Sequence, residues 1–84
     1  MRRVFVTGGA QGIGRAIVEA FVLAGDCVAF CDIDSVLGEE LALKTSARFI
    51  LADVADKGAL ECAMKSLFDE WGDIDIVVNN VGVS

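Results

Sequence analysis

The strongest indication of the fold of this chain is one glycine-rich stretch: Thr7-Gly8-Gly9-Ala10-Gln11-Gly12-Ile13-Gly14. It follows a β-branched and aromatic run over residues 3–7, which predicts a strand. It precedes residues 15–24, which predict a helix because apolar side chains recur at helical spacing: Ala16, Ile17, Ala20, Phe21 and Leu23. In such a turn, glycines allow positive φ and let the backbone approach a pyrophosphate at the positive end of the helix. Similar turns also occur without ligands, so this stretch alone leaves a purely structural role open.

The rest of the chain alternates strands with helices. Apolar runs predict strands over residues 27–31, 48–52 and 74–78, and helices are predicted between them. Ser35 is the predicted N-cap of the second helix and Asp56 that of the third, while Gly25 and Gly72 stand where the first and third helices should end. The order β-α-β-α-β-α-β is typical of an α/β fold with a parallel sheet and right-handed crossovers. It matches half of a doubly wound Rossmann fold with flanking helices.

An aspartate follows the second predicted strand, at a separation from the glycine turn that is typical of dinucleotide-binding sequences. Asp32 lies 18 residues after Gly14, close to the spacing of about 20 at which an acid accepts hydrogen bonds from the adenosine ribose of a dinucleotide. A carboxylate here would repel a 2′-phosphate, and neither Gln11 nor Ile33 is basic. Arg15 lies within the predicted helix after the turn. The pattern favours NAD(H) over NADP(H), with the alternative that Asp32 merely ends a strand.

Polar residues end all four predicted strands. They are Thr7, Asp32, Asp53 and Asn79. Because the carboxyl ends of parallel strands share one edge of the sheet, where ligands of open α/β sheets bind, these residues should line a single site. A hydrophobic sheet has little structural need for such an edge.

Composition limits the partners of this chain. Its 84 residues predict one domain, residues 1–84, with 55% hydrophobic residues and a mean hydropathy of +0.60. The net charge of −6 and the lack of histidine argue against nucleic-acid or membrane-surface binding, so phosphates would have to be held by backbone N–H groups. No apolar run reaches about 18 residues, so no membrane span is expected and the cytoplasm is the default location. Cys27, Cys31 and Cys62 are expected to be buried thiols, and no metal site is expected.

Three motifs together resemble the short-chain dehydrogenase/reductase family. The turn Thr7-Gly8-x-x-x-Gly12-Ile13-Gly14 matches that family's Thr-Gly-x-x-x-Gly-x-Gly. Asp53-Val54 matches its Asp-Val pair after strand three, and Asn79-Asn80-Val81-Gly82 matches its Asn-Asn-Ala-Gly motif, with valine in place of alanine. The resemblance covers the N-terminal, cofactor-binding half of the family and implies a parallel sheet of strand order 3-2-1-4.

The resemblance also implies a role for each motif in binding NAD. Backbone around Gly12 and Ile13 should hold the pyrophosphate, Asp53 should accept from the adenine amino group, and the Val54 N–H should reach the ring. Asn80 should lie beside the adenosine-side ribose, and Thr7 should tie the turn to the loop after strand four. The complete predicted cofactor-binding set is Gly8, Gln11, Gly12, Ile13, Gly14, Asp32, Ile33, Asp53, Val54, Asn80 and Gly82.

The family's catalytic residues have no counterpart here. They are a serine, a Tyr-x-x-x-Lys pair and a further asparagine, all downstream of the Asn-Asn-Ala-Gly motif, whereas these 84 residues contain no tyrosine and no histidine. No residue is therefore assigned a catalytic role, the chain by itself is expected to be inactive, and its substrate is not identified.

Three interpretations of the whole chain stay open. It is the cofactor half of an oxidoreductase, a non-catalytic nucleotide-binding or oligomerising module, or a remnant that folds without a ligand. Self-association is expected through the edge of the fourth strand, residues 74–78, which begins with Ile74 and ends with Val78.

Overall fold

The computed structural model describes residues 1–80 of the chain. Strands and helices alternate in the order β1 (Arg3–Thr7), α1 (Gly12–Leu23), β2 (Cys27–Asp32), α2 (Ser35–Thr45), β3 (Arg48–Leu51), α3 (Lys57–Trp71) and β4 (Ile76–Asn79). The predicted Gly82 contact lies outside the described residues.

The four strands form one parallel sheet in the order β3-β2-β1-β4, which confirms the predicted topology. In the register of this sheet, Thr7 at the end of β1 lies beside Cys31 of β2 and Asn79 of β4. Asp32 at the end of β2 lies beside Leu51 of β3. The strands therefore end nearly level, and their polar last residues share one edge.

The sheet carries a separate hydrophobic cluster on each face, because side chains alternate along a strand. Val4 and Val6 of β1 pack with Val18 of α1 and Leu41 of α2 on one face. Phe5 of β1 packs with α3 on the other face, in a cluster that includes Ala29, Cys31, Ala63 and Leu67. Both central strands are thus covered by helices, and β3 and β4 are less buried.

Several element boundaries differ from the sequence prediction. Helix α1 begins at Gly12 rather than at residue 15, so the last residues of the glycine turn belong to it. The N-cap of α2 is Asp34, not Ser35, because the Asp34 carboxylate accepts a hydrogen bond from the Leu37 N–H at 3.0 Å. The predicted cap at Asp56 is confirmed, since its carboxylate accepts from Ala59 N–H at 3.2 Å.

The two edge strands are shorter than predicted. Strand β3 ends at Leu51 rather than at residue 52. Strand β4 begins at Ile76 rather than at Ile74, because the preceding Asp75 does not join the regular strand pairing with β1. Its carboxylate accepts from the Arg3 N–H at 2.7 Å, and its own N–H donates to the Arg3 carbonyl at 2.8 Å.

The apolar spacing of α1 predicted its buried side incompletely. Val18, which the sequence analysis did not select, is buried, whereas Leu23 is 88% exposed. All three cysteines were expected to be buried, but only Cys31 is. Cys27 is half-buried and Cys62 is exposed. Burial raises the pKa of the Cys31 thiol. Within residues 1–80, none of the helices combines the length and apolar character needed to cross a bilayer.

Candidate functional site

The glycine turn has a shape that only glycines can form at its key positions. Gly8 and Gly12 have φ of 65° and 61°, in the left-handed region. At Gly14, a Cβ atom would overlap the carbonyl oxygen of Gly8 and would come within 2.6 Å of Asn80 Nδ2. The start of α1 therefore packs directly against the end of β1, with no room for a side chain.

The N-terminus of α1 lacks the side-chain cap that the other two helices have. Gln11 occupies the N-cap position in an extended conformation, but its side chain caps no backbone N–H, and the first turn holds no acidic residue. The first N–H groups of a helix have no partner within the helix and lie at its positive end. Gly12 and Ile13 are exposed there. This part of the turn thus suits an anionic group such as a phosphate.

Asp32 lies at the end of β2, where the glycine turn and the β2–α2 loop meet. Its side chain is nearly buried, with 9% of the residue exposed. One carboxylate oxygen accepts from the Ala10 N–H at 3.0 Å and the other from the Asp34 N–H at 3.0 Å. Ile33 follows and is 70% exposed, so no basic residue directly follows the carboxylate.

A pocket of about 160 Å³ opens at the carboxyl edge of the sheet, between the turn and the ends of β2 and β3. It is lined by Gly8, Asp32, Ile33, Ala52, Asp53 and Val54. The structure therefore brings together five of the predicted cofactor-binding residues, which are separated by up to 46 positions in the sequence. Asp53 is exposed and anchors its own loop, since its carboxylate accepts from the Ala55 N–H at 2.9 Å.

Hydrogen bonds join the end of β4 to the glycine turn. Thr7 takes part in them, as the family resemblance implied. The Thr7 hydroxyl accepts from the Asn80 N–H at 3.0 Å and faces the carbonyl oxygen of Val78 and the side-chain oxygen of Asn79 at 3.4 and 3.2 Å. The Asn80 side chain donates to the Gly8 carbonyl at 3.1 Å. These bonds fix the first half of the turn against the neighbouring strand.

The predicted residues thus form two groups at one edge of the sheet. Gly8, Asp32, Ile33, Asp53 and Val54 line the pocket, whereas Gln11, Gly12, Ile13 and Gly14 form the start of α1. Asn80 lies against Gly8 and is not among the residues that line this pocket.

Two further residues of the site were not predicted from the sequence. Ala10 contributes a backbone N–H to Asp32, and Ala52 lines the pocket beside Asp53. Neither residue carries a polar side chain, so motif reasoning had no signal for them beyond their positions next to selected residues.

Comparison with known proteins agrees with this arrangement. The short chain dehydrogenase family matches residues 2–84. L-fucose dehydrogenase of Mus musculus is 44% identical over 80 residues, which make up 94% of this chain and 29% of that protein. The 15-hydroxyprostaglandin dehydrogenase (NAD(+)) of Homo sapiens is 41% identical over 86 residues, covering 94% of this chain and 32% of that protein.

A solved structure of a family member has the same fold as this chain. A mutant short-chain dehydrogenase/reductase of Serratia marcescens superposes with a TM-score of 0.91 at 36% identity, over 99% of this chain and 36% of that one. The chain spans about a third of the length of the curated relatives that it matches. With a family match through residues 2–84 and a sheet that gathers the motif residues at one edge, the chain belongs to the short chain dehydrogenase family.

Proposed function

We propose that this chain is the NAD(H)-binding part of a dehydrogenase that transfers hydride between a nicotinamide cofactor and an alcohol or carbonyl substrate. One observation carries the proposal: the Asp32 carboxylate and Asp53 line one pocket beside Gly8, at the carboxyl edge of a parallel sheet. The bound nicotinamide would supply the hydride chemistry. The residues of this chain would bind and orient the dinucleotide.

Backbone groups would hold the pyrophosphate. The uncapped N-terminus of α1 presents the exposed Gly12 and Ile13 at the positive end of the helix. Since the chain has a net charge of −6, backbone N–H groups rather than a cluster of lysines would oppose the phosphate charge. At the other end of the site, Asp53 and Val54 would contact the adenine, with Asn80 near the ribose.

The preference for NAD(H) over NADP(H) would come from Asp32. Its carboxylate would accept hydrogen bonds from ribose hydroxyls and repel a 2′-phosphate. Arg15 follows the turn in the sequence and carries a positive charge, but its guanidinium faces Glu19 on the same helix at 3.8 Å, and it does not line the pocket. A relative named for NAD(+), the human 15-hydroxyprostaglandin dehydrogenase, supports the same choice.

Isothermal titration calorimetry on the 84-residue chain tests this preference. NAD(H) should bind at least about tenfold more tightly than NADP(H), a difference of about 1.4 kcal/mol. The variant Glu40→Gln removes an exposed carboxylate on α2 and should leave this ratio unchanged, which would show that the preference does not depend on net charge. Tighter binding of NADP(H) would show that the assignment is wrong.

Binding without turnover is expected of the polypeptide of these 84 residues. They include no tyrosine and no histidine, so neither can act as the proton donor or acceptor that carbonyl reduction needs. NADH oxidation should stay at the buffer rate with any carbonyl substrate, as followed by nicotinamide absorbance. Sustained turnover by polypeptide of verified mass would contradict this expectation.

We also propose that this polypeptide self-associates through β4. In the sheet formed by residues 1–80, β4 pairs with β1 on one side and is an edge strand. Val77 on this strand is 50% exposed. An edge of this kind offers unpaired N–H and C=O groups to a strand of another chain.

A further inference from the structure

We propose that Asp32 is also a positioning residue: its carboxylate holds the glycine turn in its phosphate-binding shape before any nucleotide arrives. Recognition of a ribose needs a carboxylate that faces the pocket, and nothing in that role requires a bond to the turn. The structure nevertheless joins Asp32 to Ala10, 22 residues earlier in the chain. Only the consequence for cofactor binding rests on the proposed function; the bond itself does not.

The carboxylate of Asp32 links two backbone segments. One oxygen accepts from the Ala10 N–H at 3.0 Å in a buried hydrogen bond, and the other accepts from the Asp34 N–H at 3.0 Å. Ala10 belongs to the turn before α1, and Asp34 caps α2. A single side chain therefore connects the turn to the start of the next helix.

The turn also bonds to β2 through backbone alone. The Gly9 N–H donates to the Cys31 carbonyl at 3.1 Å. Consecutive amides of the turn, those of Gly9 and Ala10, thus bind consecutive residues of β2. Substitution cannot remove the Gly9 bond directly, whereas the Ala10 bond depends entirely on the side chain at position 32.

Loss of this acceptor would leave a buried donor without a partner. Ala10 is 0% exposed, so its N–H cannot turn to solvent while the turn keeps its shape. A buried N–H that loses a charged acceptor incurs the full cost of its desolvation. The turn would relieve that cost by moving Ala10 toward water.

Such a movement would reach the proposed phosphate site. Ala10 lies two residues before Gly12, where α1 begins. Between them, Gln11 provides no side-chain cap that could hold the helix start in place. Replacing Asp32 with a small neutral residue should therefore weaken the binding of NAD(H), and it should not give tight binding of NADP(H) even though the repulsion of the 2′-phosphate is gone.

Amide hydrogen exchange on the full chain, measured by NMR without nucleotide, tests the positioning role directly. In Asp32→Ala, the Ala10 amide should exchange at least about tenfold faster than in the unmodified chain. The amides of Val6 and Phe30 in the buried strands report global opening and should change much less. Asp32→Asn keeps the shape but has one acceptor oxygen for two N–H donors, so it should give an intermediate effect.

Asp53→Asn is the matched control. It neutralises the other carboxylate of the same pocket, but Asp53 binds Ala55 in its own loop rather than the turn. It should leave the exchange of Ala10 unchanged, whatever it does to nucleotide affinity. Equal exchange of Ala10 in Asp32→Ala and the unmodified chain would overturn the proposal, and so would an increase no larger than that of Val6 and Phe30.

A measurement on the unmodified chain decides the matter if Asp32→Ala does not fold. The bond should give a through-hydrogen-bond scalar coupling between the Ala10 amide nitrogen and the Asp32 carboxyl carbon. Its detection without nucleotide supports the positioning role, and its absence in a folded chain overturns it. Failure of the chain to bind NAD(H) would affect neither measurement, so the proposed function and this inference can fail separately.

Discussion

At the scale of single residues, Gly14 shows how closely the turn and the helix are packed. A Cβ atom there would overlap the Gly8 carbonyl oxygen and crowd the Asn80 side chain that holds this same oxygen. The Gly8 carbonyl and the Asn80 side chain are hydrogen-bonded to each other, so neither can move away without breaking that bond. The packing between the turn and the end of β4 therefore requires glycine at position 14.

Gly14→Ala should lower the free energy of unfolding by about 1–3 kcal/mol, the usual cost of forcing extra volume into a packed site. Gly58→Ala is the matched control, because a Cβ there would meet only Asp56 Oδ1, at 3.4 Å. Since Gly58 lies in α3, its replacement should be neutral or stabilising by up to about 1 kcal/mol. Urea denaturation of both variants checks this, and equal stability of the two would contradict it.

Asp26 gives the stability of the chain an acid-sensitive part. Hydrogen bonds from Arg2, whose guanidinium lies 2.9 Å from the carboxylate, hold the pKa of Asp26 below its ordinary value of 3.8. A lowered pKa in the folded state stabilises the fold above pH 3.8, and this contribution is lost as the pH falls through the lowered pKa. The Arg2–Asp26 pair thus joins the start of β1 to the loop before β2 at neutral pH.

Asp26→Asn should therefore be less stable than the unmodified chain at neutral pH, and this difference should shrink as the pH falls below 3.8. Thermal unfolding across this range measures the difference. Glu40→Gln removes one exposed carboxylate elsewhere, so a change that it shares would report net charge. A stability difference for Asp26→Asn that persists undiminished at low pH would contradict the role of the charged pair.

At the scale of elements, the start of α2 shows what the sequence could not settle. Asp34 and Ser35 are both good N-cap residues, and they are adjacent. The structure uses Asp34, whose backbone is extended, with φ −91° and ψ 100°. Which residue caps the helix depends on how the chain leaves β2, and there the Asp32 carboxylate holds the Asp34 N–H. That contact spans only two residues, but the same carboxylate is also held by the Ala10 N–H, 22 residues earlier in the chain, and local preferences do not reveal that tertiary bond.

Asp34→Ala should lower the free energy of unfolding by about 1 kcal/mol, because the Leu37 N–H loses its acceptor. Ser35→Ala should change it by no more than a few tenths, since Ser35 lies inside the first turn of the helix. Chemical denaturation of the two variants distinguishes these positions. A larger loss from Ser35→Ala would restore Ser35 as the cap.

At the scale of the whole molecule, periodicity and spacing predicted the order of elements and the edge at which the polar residues meet. Strand ends such as Asp32 could be placed because aspartate follows a continuous apolar run. The exposure of Leu23 could not be predicted from the sequence, because it depends on how α1 packs against the sheet and not on the apolar spacing of the helix. The start of β4 likewise depends on the bonds between Asp75 and Arg3. Such long-range contacts have no local signal.

The β4 edge predicts the association state of the polypeptide of these 84 residues. Light scattering at micromolar concentration should find a dimer or higher oligomer, with pairing about a two-fold axis the simplest arrangement. Val77→Lys places a charge on the edge strand and should give a monomer of low stability or prevent folding. Leu43→Lys, at an 88% exposed site on α2, should leave the association unchanged. A well-folded monomer of the unmodified polypeptide would contradict this proposal.

An NMR titration of the isotopically labelled chain with NAD(H) tests whether the chain binds this cofactor at the carboxyl edge of its sheet. We expect saturable shifts of backbone amides at one edge of the sheet, in the turn over residues 8–14, at Asp32 and Ile33, and at Asp53 and Val54. Amides near Lys44, at the far end of α2, should not move. Shifts that do not saturate, or that cluster away from this edge, would contradict the claim that the chain binds NAD(H) there.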